Sequence, residues 1–589
     1  MDINKKIFEL RNLMKSKSLD YYLIPHEDEN LLEYTPTNKE RLKWISGFSG
    51  SAGSMLVGLK SLNLFVDGRY TIQSKLEMEG TNCSINNISS LNVLNFLKKI
   101  KSNGIILGLD INTISVSTYN SLKEVCNSNN IKIKGLDKNL IDKIWKRNLD
   151  LEKTNKIFFL DTRCAGIDLN EKIKKIIAHL KENKADYCYI QNSESIAWLL
   201  NLRGRDLNFT PITFCNGLIS KDLIYLFFEN EKIPKEIKKK LGNKVKICNK
   251  NQLGKALKAS KKVNPRIIVD KEYTSVSNLK ILCSYTKNII FKKDIIQTLK
   301  SIKNIQEVKC IKKAHILDGK ALCKFLYWFK NKKDPFTELD VVNKVDTLRM
   351  ENEGYISRSF PTIAGSGPNG AIIHYQPTKK SNRTLKKNDI LLLDSGAQYL
   401  FGTTDVTRTV SKGKVSQDTI LDYTLVLKGH VNVNLSKFPL GVSGNYLDYL
   451  ARQFLWINGK DYAHSTGHGI GFCLNVHEGP FSISTRSSDM ITHGMVFSNE
   501  PGYYKTNCYG IRIENVVTAK KIILNKKNFI KIENFTLAPY ELDLIDKSIL
   551  TIEEKNWINN YHKDVIKKIS PLLLEKERVW LKKACKEIL

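Results

Sequence analysis

Apolar residues fall three apart at the start of the chain, at Ile7, Leu10 and Leu13, and this spacing predicts an amphipathic helix. Tyr21-Tyr22-Leu23-Ile24 then predicts a strand, and further strand and helix alternations run to about residue 145. Within them, Asp67-Gly68-Arg69-Tyr70 reads as a tight turn closing a strand. The alternation repeats over about 146–297, with Leu-rich helical segments and short strands such as Leu223 to Phe228. Two α/β domains of similar size and element order are therefore expected, 1–145 and 146–297, as a duplication that leaves no convincing sequence repeat. From about 298 a long helical pattern begins (Ile302, Val308, Ile311, Ile316, Leu322, Phe325, Leu326), and a glycine-rich, strand-rich segment follows. Residues 298–589 form the expected third domain, the one with the chemistry.

Composition narrows the class. At 589 residues, 42% hydrophobic and 9% aromatic, the chain suits a multidomain globular protein. Its longest apolar runs, such as Ile390 to Leu393, fall far short of the roughly 18 residues of a membrane helix. The N-terminal residues interleave charge with apolar positions and lack a signal-peptide core, so a cytoplasmic protein without membrane attachment is expected. Twelve scattered cysteines form no Cys-x-x-Cys pair, which argues against zinc knuckles and redox motifs and favours free thiols in a reducing compartment. The net charge of +33 raises nucleic acid as a partner. Lysine is spread along the chain, however, and runs such as Lys238 to Lys240 and Lys261-Lys262 read as solvated faces or loops. No nucleic-acid partner is expected. The glycine-rich Trp44 to Gly53 segment lacks the Gly-Lys-Ser/Thr ending of a phosphate-binding loop.

Four carboxylates and an imidazole carry the chemistry. Asp394 ends the buried-strand pattern Ile390 to Leu393, and Asp405 lies eleven positions on, in a second strand expected over Thr403 to Val410. Strand alternation puts Glu500 beside Ser498 and Val496, and Glu514 beside Arg512, with Ile511 and Ile513 on the other face. His468 closes His464-Ser-Thr-Gly-His. Four clustered carboxylates without cations would repel and take up protons. Two divalent ions neutralise them, and oxygen donors with one imidazole suit Mn²⁺, Co²⁺, Fe²⁺ or Zn²⁺. Such a pair shares a water of lowered pKa and favours hydrolysis of an amide or ester. His374, His464 and His477 read as hydrogen-bond donors to substrate and to a developing tetrahedral oxyanion.

Taken together, these segments resemble the aminopeptidase P family of Xaa-Pro aminopeptidases. The catalytic matches are Gly367-Pro-Asn-Gly-Ala-Ile-Ile-His-Tyr375, Leu393-Asp-Ser-Gly-Ala-Gln-Tyr399, Gly402-Thr-Thr-Asp-Val-Thr-Arg-Thr409 and His464-Ser-Thr-Gly-His-Gly469. They continue with Asn475-Val-His-Glu-Gly-Pro480, Asn499-Glu-Pro-Gly-Tyr-Tyr504 and Gly510-Ile-Arg-Ile-Glu-Asn515. Ile45 to Gly53, Asp67 to Tyr70 and Trp198 to Gly204 resemble the family's two N-terminal domains. Trp557 to His562 resembles the C-terminal tail of the long cytosolic eukaryotic type.

The resemblance implies two related N-terminal α/β domains and a C-terminal "pita-bread" metallopeptidase domain with tail. It further implies two divalent ions per subunit, manganese foremost with zinc or cobalt as alternatives, and a homodimer formed through the catalytic domain. Asp405 and Glu514 would bridge the ions, Asp394 would bind one, and His468 with Glu500 the other. Glu500 would also accept the proton of the attacking water. His374, His464 and His477 would serve catalysis and substrate binding, Arg512 would orient neighbouring groups, and Tyr504 would line the substrate site. The implied substrates are peptides with proline in second position. A prolidase-like dipeptidase shares the ligand set, as do methionine aminopeptidases, and a non-catalytic binding protein on the same scaffold is the remaining alternative.

Overall fold

The computed structural model describes residues 2–100, 104–147, 157–228, 233–259 and 262–589. The chain divides into two compact units: Met1–Leu160, Ile167–Asn208 and Ile212–Ile296 form one, and Asp161–Gly166, Phe209–Pro211 and Gln297–Leu589 the other.

The first unit opens on helix α1, Ile3–Ser16, which buries Ile7, Leu10 and Met14 as the initial spacing predicts. Its first sheet comprises β1 (Tyr21–Pro25), β2 (Ser54–Gly58), β3 (Leu62–Val66), β4 (Ser84–Asn87), β5 (Ile106–Asp110) and β6 (Lys132–Leu136), in the order β4-β3-β2-β1-β5-β6. Asp67 ends β3, its side chain accepting the Arg69 N–H of the tight turn. The second sheet comprises β7 (Tyr187–Ile190), β8 (Cys215–Ser220), β9 (Ile224–Phe228), β10 (Val245–Asn249), β11 (Ile267–Val269) and β12 (Ile289–Phe291). Its order, β10-β9-β8-β7-β11-β12, repeats that of the first strand for strand. The sense of pairing repeats too: the first three strands of each sheet pair antiparallel, and the remaining pairs are parallel. The duplication expected from element order is thus a topological one, since strand order can persist when side chains have diverged.

Lys238 to Lys240 form an exposed face of the short helix Lys235–Leu241, whose Ile237 and Leu241 are buried. Lys261 lies outside the described residues. All twelve cysteines are free thiols. Among the described residues no helix is long and apolar enough to cross a membrane.

The second unit begins with a long helix, α2, Ile305–Asn331. It starts later than the apolar pattern alone predicts. Asn304 and Glu307 make a capping box that sets the first turn, leaving Ile302 outside as a single bridge to Met495. Helix α3, Glu338–Met350, follows and packs on α2. A three-stranded sheet, β14 (Ile363–Ser366), β15 (Ile390–Ser395) and β18 (Val406–Ser411), keeps β15 in the middle. A second sheet holds β13 (Tyr355–Arg358), β16 (Ala397–Tyr399) and β17 (Gly402–Thr403). The expected continuous strand Thr403 to Val410 is therefore broken at Thr404 and Asp405, where the chain passes from one sheet to the other.

The largest sheet of this unit is built from β19 (Lys437–Pro439), β20 (Gly467–Gly469), β21 (Glu478–Ile483), β22 (Val496–Asn499), β25 (Asn515–Leu524) and β26 (Lys527–Asn534). The hairpin β23 (Gly502–Lys505) and β24 (Tyr509–Arg512) stands apart from it. Helices α4 (Gln417–Leu435) and α5 (Gly444–Trp456) pack together, and α6 (Ile552–Ile569) closes the apolar core near the C-terminus.

Candidate metal centre

Alternation along the central strand aims Asp394. Leu391 and Leu393 join the apolar cluster under α2 and α3, together with Val406 and Val410 of β18. Leu392 packs with Ile363 and Tyr375 on the other face, and Asp394 shares that face. Asp394 pairs in register with Thr407, so Asp405 emerges just beyond the paired region, in the break between sheets. Glu500 directly follows β22, and Glu514 lies in the two-residue gap between β24 and β25. The expected alternation survives that gap: Ile511 and Ile513 enter one apolar cluster while Arg512 and Glu514 turn toward the acids.

Ligating atoms of Asp405, His468 and Glu514 all lie within 4.8 Å of one another. His468 Nε2 is 3.2 Å from Glu500 Oε1 and 3.6 Å from Asp405 Oδ2. Its Nδ1 lies 3.0 Å from the Gly469 carbonyl, which can only accept, so Nδ1 keeps a proton and Nε2 is the nitrogen turned to the acids. Ser498 donates to Glu500 Oε1 at 3.0 Å, and Thr407 donates to Glu514 Oε2 at 2.8 Å. Arg512 donates to Asp394 Oδ2 at 2.6 Å, to the Tyr504 hydroxyl at 2.5 Å and to the Ile373 carbonyl at 3.3 Å.

At this site two buried carboxylate oxygens, Asp394 Oδ1 and Glu514 Oε1, have no hydrogen-bond partner among the described residues. An anionic oxygen without a donor in the interior costs several kcal/mol unless a cation meets it. Burial pushes the Asp394, Asp405 and Glu514 carboxyls up, and neighbouring carboxylates push Asp405 and Glu514 further. Burial would raise Glu500 as well, but its bond to His468 outweighs this and holds it at about 2, while His468 rises to about 9. Orphaned oxygens, crowded acids and one imidazole whose Nε2 faces them fit divalent cations of the oxygen-preferring kind, which would displace the proton from Nε2.

The histidines stand on the half-buried side of these acids. The His477 ring meets that of His468 edge to face, with centroids 4.4 Å apart. His464 Nδ1 faces the Ser465 carbonyl at 2.8 Å, and its Nε2 lies 2.8 Å from the Tyr504 hydroxyl. Burial lowers His464 to about 4, so it stands neutral at pH 7, with Nε2 accepting from Tyr504 rather than presenting a free N–H. His374 lies just past the turn Gly367–Ala371, next to Ile373, whose carbonyl Arg512 holds.

Sequence reasoning left three supporting residues unassigned. Thr407 could have been found, because it faces the same way as Asp394 in the antiparallel pair. Arg408 and Glu338 gave no local signal. Glu338 is fully buried and accepts from Ser366, Asn369, Tyr375 and the Arg383 N–H, organising the turn before His374.

Comparison with known proteins identifies relatives of the whole chain. Residues 309–521 match Metallopeptidase family M24, and 528–588 match the C-terminal region of peptidase M24. Residues 6–144 and 150–307 each match a Creatinase/Prolidase N-terminal domain. The chain is 39% identical to Xaa-Pro aminopeptidase 1 of Dictyostelium discoideum, over 100% of this chain and 97% of that protein. It is 34% identical to a probable Xaa-Pro aminopeptidase P of Coprinopsis cinerea, over 99% and 98%. The crystal structure of X-prolyl aminopeptidase from Caenorhabditis elegans, described as a cytosolic enzyme with a di-nuclear active site, superposes with a TM-score of 0.94 at 31% identity, covering 100% of both chains.

Proposed function

The chain belongs to the Xaa-Pro aminopeptidases of metallopeptidase family M24, with two creatinase-type N-terminal domains ahead of the pita-bread domain, and we propose how its residues divide the hydrolysis. It is a peptidase, and the bond it cleaves joins an N-terminal residue to a following proline. We divide it into domains 1–145, 146–297 and 298–589.

The observation that carries the site is the pair of orphaned oxygens, Asp394 Oδ1 and Glu514 Oε1, among converging donors. Asp394, Asp405, His468, Glu500 and Glu514 would hold two divalent ions, with Asp405 and Glu514 shared between them and manganese the expected metal. Bound there, the ions would acidify a water and polarise the scissile carbonyl. The protein's own residues do the rest. Glu500 accepts the proton of the attacking water, and Ser498 fixes its carboxylate. Arg512 holds Asp394 and, through Tyr504, sets the tautomer of His464. His374 and His477 line the half-buried side and bind substrate and the tetrahedral oxyanion, while His464, its single N–H held by the Ser465 carbonyl, lines the substrate site without donating to the oxyanion. The scissile nitrogen before proline carries no N–H, so the ring must be recognised by shape and apolar contact.

A cytoplasmic homodimer completes the reading. Helix α5 exposes Tyr446 and Tyr449, Ile457 follows it at 80% exposure, and Leu440 and Met490 are also exposed. This apolar surface supports pairing through the catalytic domain. Sedimentation should give a dimer that Tyr446→Lys with Ile457→Lys converts to monomer; a native monomer rejects this part.

The decisive experiment is Mn²⁺-dependent release of the first residue from Xaa-Pro-Xaa tripeptides, with His468→Ala and Glu500→Ala as controls. Metal-loaded protein with no such release contradicts the reading. Unchanged activity in both variants rejects the site. Cleavage of Xaa-Pro dipeptides alone would favour the prolidase alternative.

A further inference from the structure

Arg408 is 2% exposed, and among the described residues it pairs with no carboxylate. Its guanidinium donates to the Glu514 carbonyl at 2.6 Å, the Thr407 carbonyl at 2.9 Å and Asn515 Oδ1 at 2.8 Å. Its other partners come from the C-terminal region: the carbonyls of Ala538 at 2.8 Å and Pro539 at 3.2 Å, and the Tyr561 hydroxyl at 2.9 Å. By alternation Arg408 leaves β18 on the face opposite Thr407, away from the acids, so it reaches the Glu514 backbone from behind.

Tyr540 extends this arrangement. Its ring lies 4.7 Å from the Arg408 guanidinium, and its hydroxyl accepts from Asn515 Nδ2 at 2.9 Å. His430 Nδ1 donates to the Asn499 carbonyl at 3.1 Å, which leaves Nε2 to accept from the Tyr540 hydroxyl at 3.0 Å. Asn499 Nδ2 returns a bond to the His430 carbonyl. Asn499 immediately precedes Glu500, Asn515 immediately follows Glu514, and the two asparagines face each other in the β22–β25 register.

A buried cation without a carboxylate is an expensive way to stabilise a core, and an apolar residue of similar volume is commonly as good or better. A charged fork that binds carbonyls in several directions is instead suited to fixing backbone positions. We propose that the C-terminal region is part of the metal centre: through Arg408, Tyr540 and Tyr561 it clamps the backbone around Glu500 and Glu514 and sets the spacing of the two glutamates. These are positioning residues, and the inference rests on the ligand set proposed above. Outer groups that orient metal ligands typically change metal affinity about 10- to 100-fold when removed.

The test uses the full chain with Tyr561→Phe, Tyr540→Phe and Arg408→Lys. Tyr189→Phe serves as control, since that buried tyrosine of β7 has its hydroxyl bonded to Asn216. Mn²⁺ stoichiometry and dissociation constants are measured by competition with a chelator, beside thermal midpoint, kcat and KM. The expected result is Mn²⁺ binding weaker by about tenfold or more in Tyr561→Phe and Tyr540→Phe, with kcat recovered at excess metal and KM unchanged. Tyr189→Phe should lower the midpoint only. Native Mn²⁺ affinity in both tyrosine variants overturns the inference while leaving the ligand set intact, as does a loss matched by Tyr189→Phe. A native protein that binds no metal overturns both. The tyrosine variants keep the test open if Arg408→Lys fails to fold.

Discussion

Glu338→Gln removes one charge and one acceptor from a side chain that contacts none of the proposed ligands. Glu338 Oε1 takes the Ser366 N–H at 2.8 Å and the Ser366 hydroxyl at 2.9 Å. Oε2 takes the Tyr375 hydroxyl at 2.9 Å and the Arg383 N–H at 3.0 Å, and Asn369 Nδ2 reaches both oxygens. A glutamine amide has a single acceptor oxygen. Whichever way it turns, the N–H of Ser366 or of Arg383 faces another donor. One unmatched buried donor costs about 1–3 kcal/mol, and the surviving bonds lose their charge assistance at about 1 kcal/mol each, which totals about 3–5 kcal/mol.

For a unit of this size that corresponds to a Tm lower by about 6–10 °C, at about 2 °C per kcal/mol. The turn that Glu338 holds leads to His374. Its Gly370 packs on Gly510 of β24, so closely that a Cβ on Gly510 would lie 1.8 Å from the Gly370 carbonyl oxygen. A shift there moves both His374 and the strand carrying Arg512. We expect kcat on an Xaa-Pro-Xaa tripeptide to fall about 10- to 100-fold, the scale on which small misplacements act. Bound manganese should stay at the native stoichiometry. Calorimetry, steady-state kinetics and metal analysis of one preparation suffice. A Tm within about 1 °C of native with unchanged kcat would refute the accounting of hydrogen bonds, and loss of metal would refute the separation of this turn from the ligands.

His468→Ala and His464→Ala should separate, the first losing metal and the second keeping it with slower turnover, as metal analysis and kcat will show; equal metal content in both removes the distinction. Gly467→Ala should destabilise by about 3 kcal/mol or more, because a Cβ there would meet the Ser498 carbonyl oxygen at 2.0 Å and force β20 from β22; a Tm within about 1 °C of native rejects it. Acid should destabilise through His430 and His562, which burial lowers to about 3 each. Unfolding returns them to about 6.5, so the unfolded chain binds the extra protons between those values and stability falls as pH drops from about 6.5 toward 3. Each contributes about 1.4 kcal/mol per pH unit in that window. His562→Gln, which can still accept the Tyr540 N–H, should flatten the fall of Tm between pH 7 and pH 5; an identical slope contradicts it.

Family, fold class and the constellation of acids and histidines were legible in the sequence because each depends on a local rule. Strand alternation aims Asp394, Glu500 and Glu514, and it persists at Glu514 although the strand itself breaks there. Element order in the first 297 residues exposed a duplication that residue identity did not. The break at Asp405 was not legible, since Thr-Thr-Asp-Val-Thr has the composition of an unbroken strand and only pairing with two different sheets interrupts it. The start of α2 was missed for the opposite reason: the capping box at Asn304 is local, but the apolar pattern ran past it.

Tertiary structure alone decided who holds whom. Arg408 meets Glu514 across 106 positions and Tyr561 across 153, so no window of sequence contains both partners. Glu338 gathers donors 28 to 45 positions away. The chain by itself determined which groups can carry charge, donate or ligate, because that is the chemistry of single residues. Their distances, their burial and the tautomer of His464 follow from packing distant segments into a dry interior, where an unpartnered oxygen becomes costly enough to call for a cation.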